Sequence, residues 1–356
     1  MSELTSLMSG SVQQIGQAFL FAYYLPSAVF VICHIFILMP LWNQAFPGLL
    51  PTLVLSNATQ TVDLPTLVIL LLIPLALAIL WVGLNTFLIR LYSGNIDFIK
   101  NRVLSRAMQS NRKIVEARYT PLRSHREAYQ KNLVLLDGPG LTEQERVNTL
   151  NSQSEIRAAI IEQYAILDQM PESVALPVTE QLIAPTAFGN ALAAIPEYTK
   201  TRYGIDVTIF WVRLYTLLQK AAPEHFDRLN TQKTNLDLVL NLSAFSALIL
   251  LEALILLLTG RTTYGELLIL TIVVSLLTTV GFYRASVSAA AALGQLVAVS
   301  FDYYRKLILQ EFGLPLPTYL EDEFKLWSRL AAFIQRGDPF YFPSAEPNDQ
   351  NSTPKQ

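Results

Sequence analysis

Two residues of this chain, His34 and Glu252, have the types and the placement to do chemistry. Each lies inside an apolar run: His34 in "AFLFAYYLPSAVFVICHIFILMPLW" (residues 18–42) and Glu252 in "LDLVLNLSAFSALILLEALILLL" (236–258). An ionisable side chain inside a bilayer costs several kcal/mol unless it is paired or wetted, and so marks a functional site by default. Each residue stands about six to eight positions before the C-terminal end of its run, so the two lie at similar depth if both runs cross in the same direction. Similar depth permits an imidazole–carboxylate pair, acting either as a hydrogen-bonded lock between two helices or as a proton or cation site. Nearer the opposite end, Asn85, Asp237 and Asn241 form a second polar layer, read as helix-interface residues.

The remaining inventory is poor in chemistry. His125 and His225 fall in charged segments of helix-surface character, and the single cysteine, Cys33, lies in an apolar run where it packs as a small hydrophobe. With one thiol there is neither a disulfide framework nor a CxxC pair. No GxSxG, HExxH, Walker loop, GxGxxG or EF-hand pattern occurs, so no catalytic, cofactor-binding or metal-ligating residue is assigned and no cofactor is expected.

The elements that position His34 and Glu252 follow from composition. The chain is 52% hydrophobic and 15% charged, where a soluble domain carries about 25% charged residues. A membrane-spanning helix needs about 20 apolar residues. Four stretches qualify: 18–42, 64–89 ("LPTLVILLLIPLALAILWVGLNTFLI"), 236–258 and 267–283. The last two are separated only by "TGRTTYGE" and read as a hairpin. Residues 1–17 lack the basic segment of a signal peptide, so the first stretch counts as a true span.

Charge sets the direction. The first Lys or Arg is Arg90, and it opens a run of ten within 90–131: Arg90, Lys100, Arg102, Arg106, Arg112, Lys113, Arg118, Arg123, Arg126 and Lys131. Cations beside a span stay in the cytoplasm, which places 90–235 and both termini inside. Arg284, Arg305 and Lys306 agree; Arg261 is the exception. Beyond topology, Arg90, Lys100, Arg102, Arg106, Arg112 and Lys113 suit anionic lipid head groups at about 1 kcal/mol each. Nucleic acid is an unlikely third use of the run. A glycosylation sequon, Asn57-Ala58-Thr59, falls in the loop after the first span.

The segments outside the membrane read as helical. Ile96, Ile99, Val103 and Met108 have helical spacing and extend the second span outward as one rod until Tyr119-Thr120-Pro121 interrupts it. Asp137-Gly138-Pro139-Gly140 is a turn, and Thr142 with Glu145 is a capping box opening a helix toward Met170. Asp206 caps "VTIFWVRLYTLLQK"; Pro223 begins a helix that enters the third span without a breaker. After the fourth span, Ala285, Ser288, Ala289, Ala292 and Gly294 permit close helix contact. Thr318 and Glu321 form another box before an apolar stripe of Leu320, Phe324, Trp327, Ala331 and Ile334. The end, "SAEPNDQNSTPKQ", has the composition of a disordered tail.

Residues 185–214, "PTAFGNALAAIPEYTKTRYGIDVTIFWVRL", resemble a PTxxGN…RYGxD…WxRL stretch of a family of bacterial multi-pass inner-membrane proteins. The matching positions are Pro185, Thr186, Gly189, Asn190, Leu192, Glu197, Tyr198, Arg202, Tyr203, Gly204, Asp206, Trp211, Arg213 and Leu214. The resemblance implies a bacterial inner membrane and brings no activity with it. Physically the stretch is a structural knot: Gly204 ends one helix, Asp206 starts the next, and Glu197, Arg202 and Arg213 are placed to bridge.

The expectation is an all-α membrane protein with four transmembrane helices in two hairpins (18–89 and 236–283). It has a cytoplasmic N-terminus (1–17), an inserted helical cytoplasmic domain (90–235), C-terminal cytoplasmic helices (284–343) and a tail (344–356). Its expected work is that of a self-associating membrane scaffold or regulator, not an enzyme, with membrane lipids, further copies of itself and a cytoplasmic protein as partners. An oligomeric ion channel or pore-forming effector gated through the cytoplasmic domain is the alternative.

Overall fold

A computed structural model describes residues 16–47, 64–96, 105–137, 142–168, 183–261 and 264–341. Among them there are nine helices and no strand. They are α1 (Gly16–Ala45), α2 (Leu64–Tyr92), α3 (Ser105–Asp137), α4 (Glu143–Asp168), α5 (Ala187–Tyr203), α6 (Val207–Ala221), α7 (Pro223–Thr259), α8 (Gly265–Glu311) and α9 (Leu320–Arg336). Four of these, α1, α2, α7 and α8, are long and apolar enough to cross a membrane. The sequon, Lys100, Arg102, residues 1–15, Gly138–Gly140 and the tail lie outside the described residues.

The chain divides into two compact units. One comprises residues 1–193 and 229–293, the other 194–228 and 294–356. The first unit holds α1, α2 and the apolar stretches of α7 and α8, while residues 223–228 and 294–311 of those two helices belong to the other. Their outward faces carry large apolar side chains in the open, such as Leu277 at 66% and Leu258 at 86% exposure, the pattern of a helix meant for lipid and not water. Inward, Trp81, Leu88, Leu240, Ala244, Phe245, Ala289 and Ala290 form one core; Leu38, Leu41, Ala45, Ala253, Leu256 and Leu268 form another.

The prolines of α1 shape its backbone. Pro26 and Pro40 cannot donate the i→i−4 hydrogen bond, and their rings press on the preceding turn. Just before each, the helix widens to a π turn, over Leu20–Tyr24 and His34–Leu38. There Leu25 N–H bonds Leu20 O and Met39 N–H bonds His34 O. His34 thus opens a π segment, a geometry concentrated at functional sites.

Two sequence expectations give way here. The rod continuing α2 does not form: Gly94, at φ 71°, closes a Schellman ending in which Asn95 N–H bonds Arg90 O and Gly94 N–H bonds Leu91 O. "YSGN" at 92–95 is itself a stop signal. Pro121 does not interrupt its helix either; α3 runs through it. The carbonyl it frees, on exposed Ala117, lies where water can bond it. Helices α3 and α4 pack on one another, with Asn132 Nδ2 donating to Ser152 Oγ at 3.3 Å. The Thr142–Glu145 box opens α4: Thr142 N–H donates to Glu145 Oε2 at 2.9 Å and Glu145 N–H to Thr142 Oγ1 at 3.4 Å.

In the second unit, α6 and α9 meet through Phe210 and Trp327, edge to face at 5.0 Å, both fully buried. Asp206 caps α6 by accepting from Thr208 N–H at 2.9 Å. The expected box at α9 is absent: Tyr319 occupies the N-cap and makes no side-chain cap, so Thr318 lies one residue too early. Of the stripe on α9, Trp327 is buried while Leu320 and Phe324 are 55% and 43% exposed.

Candidate functional site

The polar residues of the four-helix unit fall on two levels. At one, Asp237 on α7 is only 4% exposed and receives three donors. Lys233 Nζ lies 2.7 Å away, one turn back on the same helix; Tyr23 Oη donates from α1 at 3.1 Å; Asn85 Nδ2 reaches from α2 at 3.5 Å. A carboxylate at this depth is tolerable because a cation and hydrogen bonds meet it together. One turn further along α7, Asn241 is fully buried and bonds two other helices. Its Oδ1 accepts from Trp81 Nε1 at 3.0 Å, and its Nδ2 donates to Ala22 O at 2.7 Å.

That last bond has a cause in the sequence. Pro26 has no N–H to offer the carbonyl four residues back, on Ala22, and lipid supplies no water to replace it. Asn241 fills the vacancy. Asn85 and Asp237 therefore meet as a pair, while Asn241 belongs to Trp81 and Ala22. Sequence reading missed Tyr23, Trp81 and Lys233, of which only Lys233, at i−4 from Asp237, carried a legible signal.

At the other level His34 Nδ1 lies 3.3 Å from Glu252 Oε2. The distance is that of an ion pair, but the alignment is not that of a hydrogen bond, and Nδ1 has no hydrogen-bond partner. The two side chains are 35% and 24% exposed. Between the levels stand three stacked rings, Phe30 on Phe245 at 4.8 Å and Phe245 on Trp81 at 4.2 Å.

The lipid-facing candidates Arg90, Arg106, Arg112 and Lys113 are all exposed. Those of the 185–214 stretch divide between the units. In the first, Thr186 Oγ1 donates to Tyr92 O at 2.8 Å, and a Cβ on Gly189 would fall 2.5 Å from Ser93 O, so only glycine fits there. In the second, Glu197 is buried, Gly204 takes φ 76°, Trp211 lies beside Phe301, Arg202 Nη1 donates to Tyr198 Oη at 3.3 Å and Arg213 Nη1 to Ile209 O at 2.7 Å.

Around Tyr203 lies a network that sequence reading did not find. Tyr198 and Tyr203 hydroxyls both donate to Asp302, at 2.9 and 2.7 Å. Arg305 stacks 4.2 Å from the Tyr203 ring, bonds Asp302 O, and grips Glu323 through Nε at 2.6 Å and Nη2 at 3.4 Å. Trp327 Nε1 donates to the same carboxylate at 3.1 Å.

Burial, then the neighbouring Asp302 carboxylate, pushes the Tyr203 phenol from 10.0 up to about 12. The folded state therefore holds this proton more tightly than the unfolded chain. The stabilisation is complete below pH 10 and lost as pH rises toward 12. Subtracting the 295 nm alkaline titration of Tyr203→Phe from that of the wild type should leave one tyrosinate with a midpoint near 12. A midpoint near 10 would remove the network's claim on this hydroxyl.

No family model, curated protein or solved structure matches the chain.

Proposed function

We propose that this chain is an integral membrane scaffold or regulator, without catalytic activity, that works by associating with itself and with partners or lipid head groups through its extramembrane helices. The positive-inside pattern favours both termini in the cytoplasm, and the resemblance of residues 185–214 favours a bacterial inner membrane. One observation carries the reading: α7 and α8 are unbroken over 37 and 47 residues. At about 1.5 Å per residue they measure about 55 and 70 Å, against a hydrocarbon thickness of about 30 Å. Each is thus one stiff element both inside and outside the bilayer. The buried polar groups of the bundle are used between helices, as in Asn241 with Trp81 and Ala22, which suits an assembly held in fixed register.

The test is light scattering of the detergent-solubilised particle together with planar-bilayer recording. A protein mass that is a fixed multiple of 39.8 kDa in a particle that passes no current is expected. Steady conductance altered by His34→Ala or Glu252→Gln would transfer the assignment to the ion-channel alternative.

A further inference from the structure

We infer that the His34–Glu252 pair is the centre of a membrane-embedded interface with a second copy of this chain. The inference rests on the self-association proposed above and names the surface responsible.

The pair is closed along the bundle and open to the side. One turn beyond it, Leu38, Ala253 and Leu256 belong to an apolar core with Leu41, Ala45 and Leu268. One turn before it, the Phe30 ring lies 5.9 Å from the imidazole and continues into the Phe245–Trp81 stack. Neither end admits water. What remains open is lateral: 35% of the imidazole side chain and 24% of the glutamate side chain, bordered on α1 by Ile32 and Phe36 at 55% and 63% exposure and on α7 by Leu251 at 54%.

Hydrocarbon is a poor neighbour for that opening. An ionisable group in hydrocarbon is costly unless paired, and His34 Nδ1 is already without a hydrogen-bond partner. At 3.3 Å without hydrogen-bond alignment the contact leaves the buried Nδ1 unmet, while the open part of each side chain faces sideways.

A second copy can meet the open part of each side chain. The pair joins one donor-bearing ring to one acceptor carboxylate, so it is complementary to itself. A two-fold axis beside it sets each His34 against the other copy's Glu252, and two imperfect pairs become a closed ring of four. Such isologous contacts are the commonest way for one chain to close on itself, and polar side chains that bond across helices stabilise association in membranes.

The experiment is energy transfer between donor- and acceptor-labelled full-length copies, diluted through liposomes of phosphatidylethanolamine and phosphatidylglycerol. His34→Leu and Glu252→Leu should each weaken association about tenfold or more, a factor equal to about 1.4 kcal/mol. Ile32→Trp, on the exposed rim, should weaken it without disturbing the bundle. His34→Glu copies mixed with Glu252→His copies should prefer each other over their own kind, because only the mixed dimer sets carboxylates against imidazoles. That mixed preference is readable only from folded protein, so misfolding cannot imitate it. Association untouched by all three of these changes, with no mixed preference, would overturn this interface and leave self-association standing. Wild-type protein that stays monomeric at every dilution would overturn both.

Discussion

Replacing Arg305 with alanine will destabilise the folded protein by about 3–5 kcal/mol, the range seen when one partner of a buried ion pair is deleted. The cost falls on Glu323, whose side chain is 4% exposed and would be left with only Trp327 Nε1 to meet it. Arg305 also supplies the face over the Tyr203 ring, so packing is lost with charge. Two further variants separate these terms. Arg305→Lys should recover little, because an ammonium cannot span both carboxylate oxygens or stack as a guanidinium does. Arg305→Ala combined with Glu323→Leu should recover most of the loss, because the stranded carboxyl group is gone. Unfolding in mixed detergent micelles, followed by the fluorescence of the four tryptophans, reads all three. A loss below about 1 kcal/mol for Arg305→Ala, the value of an exposed pair, would show that the bridge is solvated.

Asn241→Leu is the second large effect, about 2–4 kcal/mol. It leaves two buried groups unmet, the Trp81 indole N–H and the Ala22 carbonyl, and each such orphan costs about 1–3 kcal/mol. The dependence on proline is the sharper part. In a Pro26→Ala background, residue 26 regains an N–H that can bond Ala22 O within α1. Asn241→Leu should then cost about 1 kcal/mol less than it does in the wild type, a coupling that a double-mutant cycle isolates. Equal costs in the two backgrounds would mean that Ala22 O does not depend on Asn241.

How much of this was legible beforehand varies from residue to residue, for physical reasons. Four apolar helices were legible because lipid demands length and composition together, and both are local properties of the chain. His34 and Glu252 stood out because charge in an apolar run is rare. Tyr23 on Asp237 and Trp81 on Asn241 did not, since aromatic side chains are read first as hydrophobic bulk. Their hydroxyl and indole N–H matter only once the helices are in register. Asn241 was half legible: Pro26 announces an unmet carbonyl on Ala22, but not which helix will meet it.

Arg305 and Glu323 were hidden by the turn between α8 and α9. There Gly313, at φ 68°, redirects the chain, and no spacing rule predicts the direction. The rod expected beyond α2 and the break expected at Pro121 were opposite errors of one kind. Helical periodicity was weighed above Gly94, which ends a helix, and proline was treated as a stop where a solvated helix accepts it as a local defect.

The proposed topology has four helices crossing a bilayer with the segment after α2 on the cytoplasmic side. Cysteine accessibility in intact bacterial spheroplasts tests this directly. In a Cys33→Ala background, a membrane-impermeant maleimide should label Tyr264→Cys, in the short α7–α8 connection, without permeabilisation, and should label Arg112→Cys only after detergent is added. Labelling of Arg112→Cys from outside intact cells, with Tyr264→Cys protected, would contradict the topology and with it the common depth assigned to His34 and Glu252.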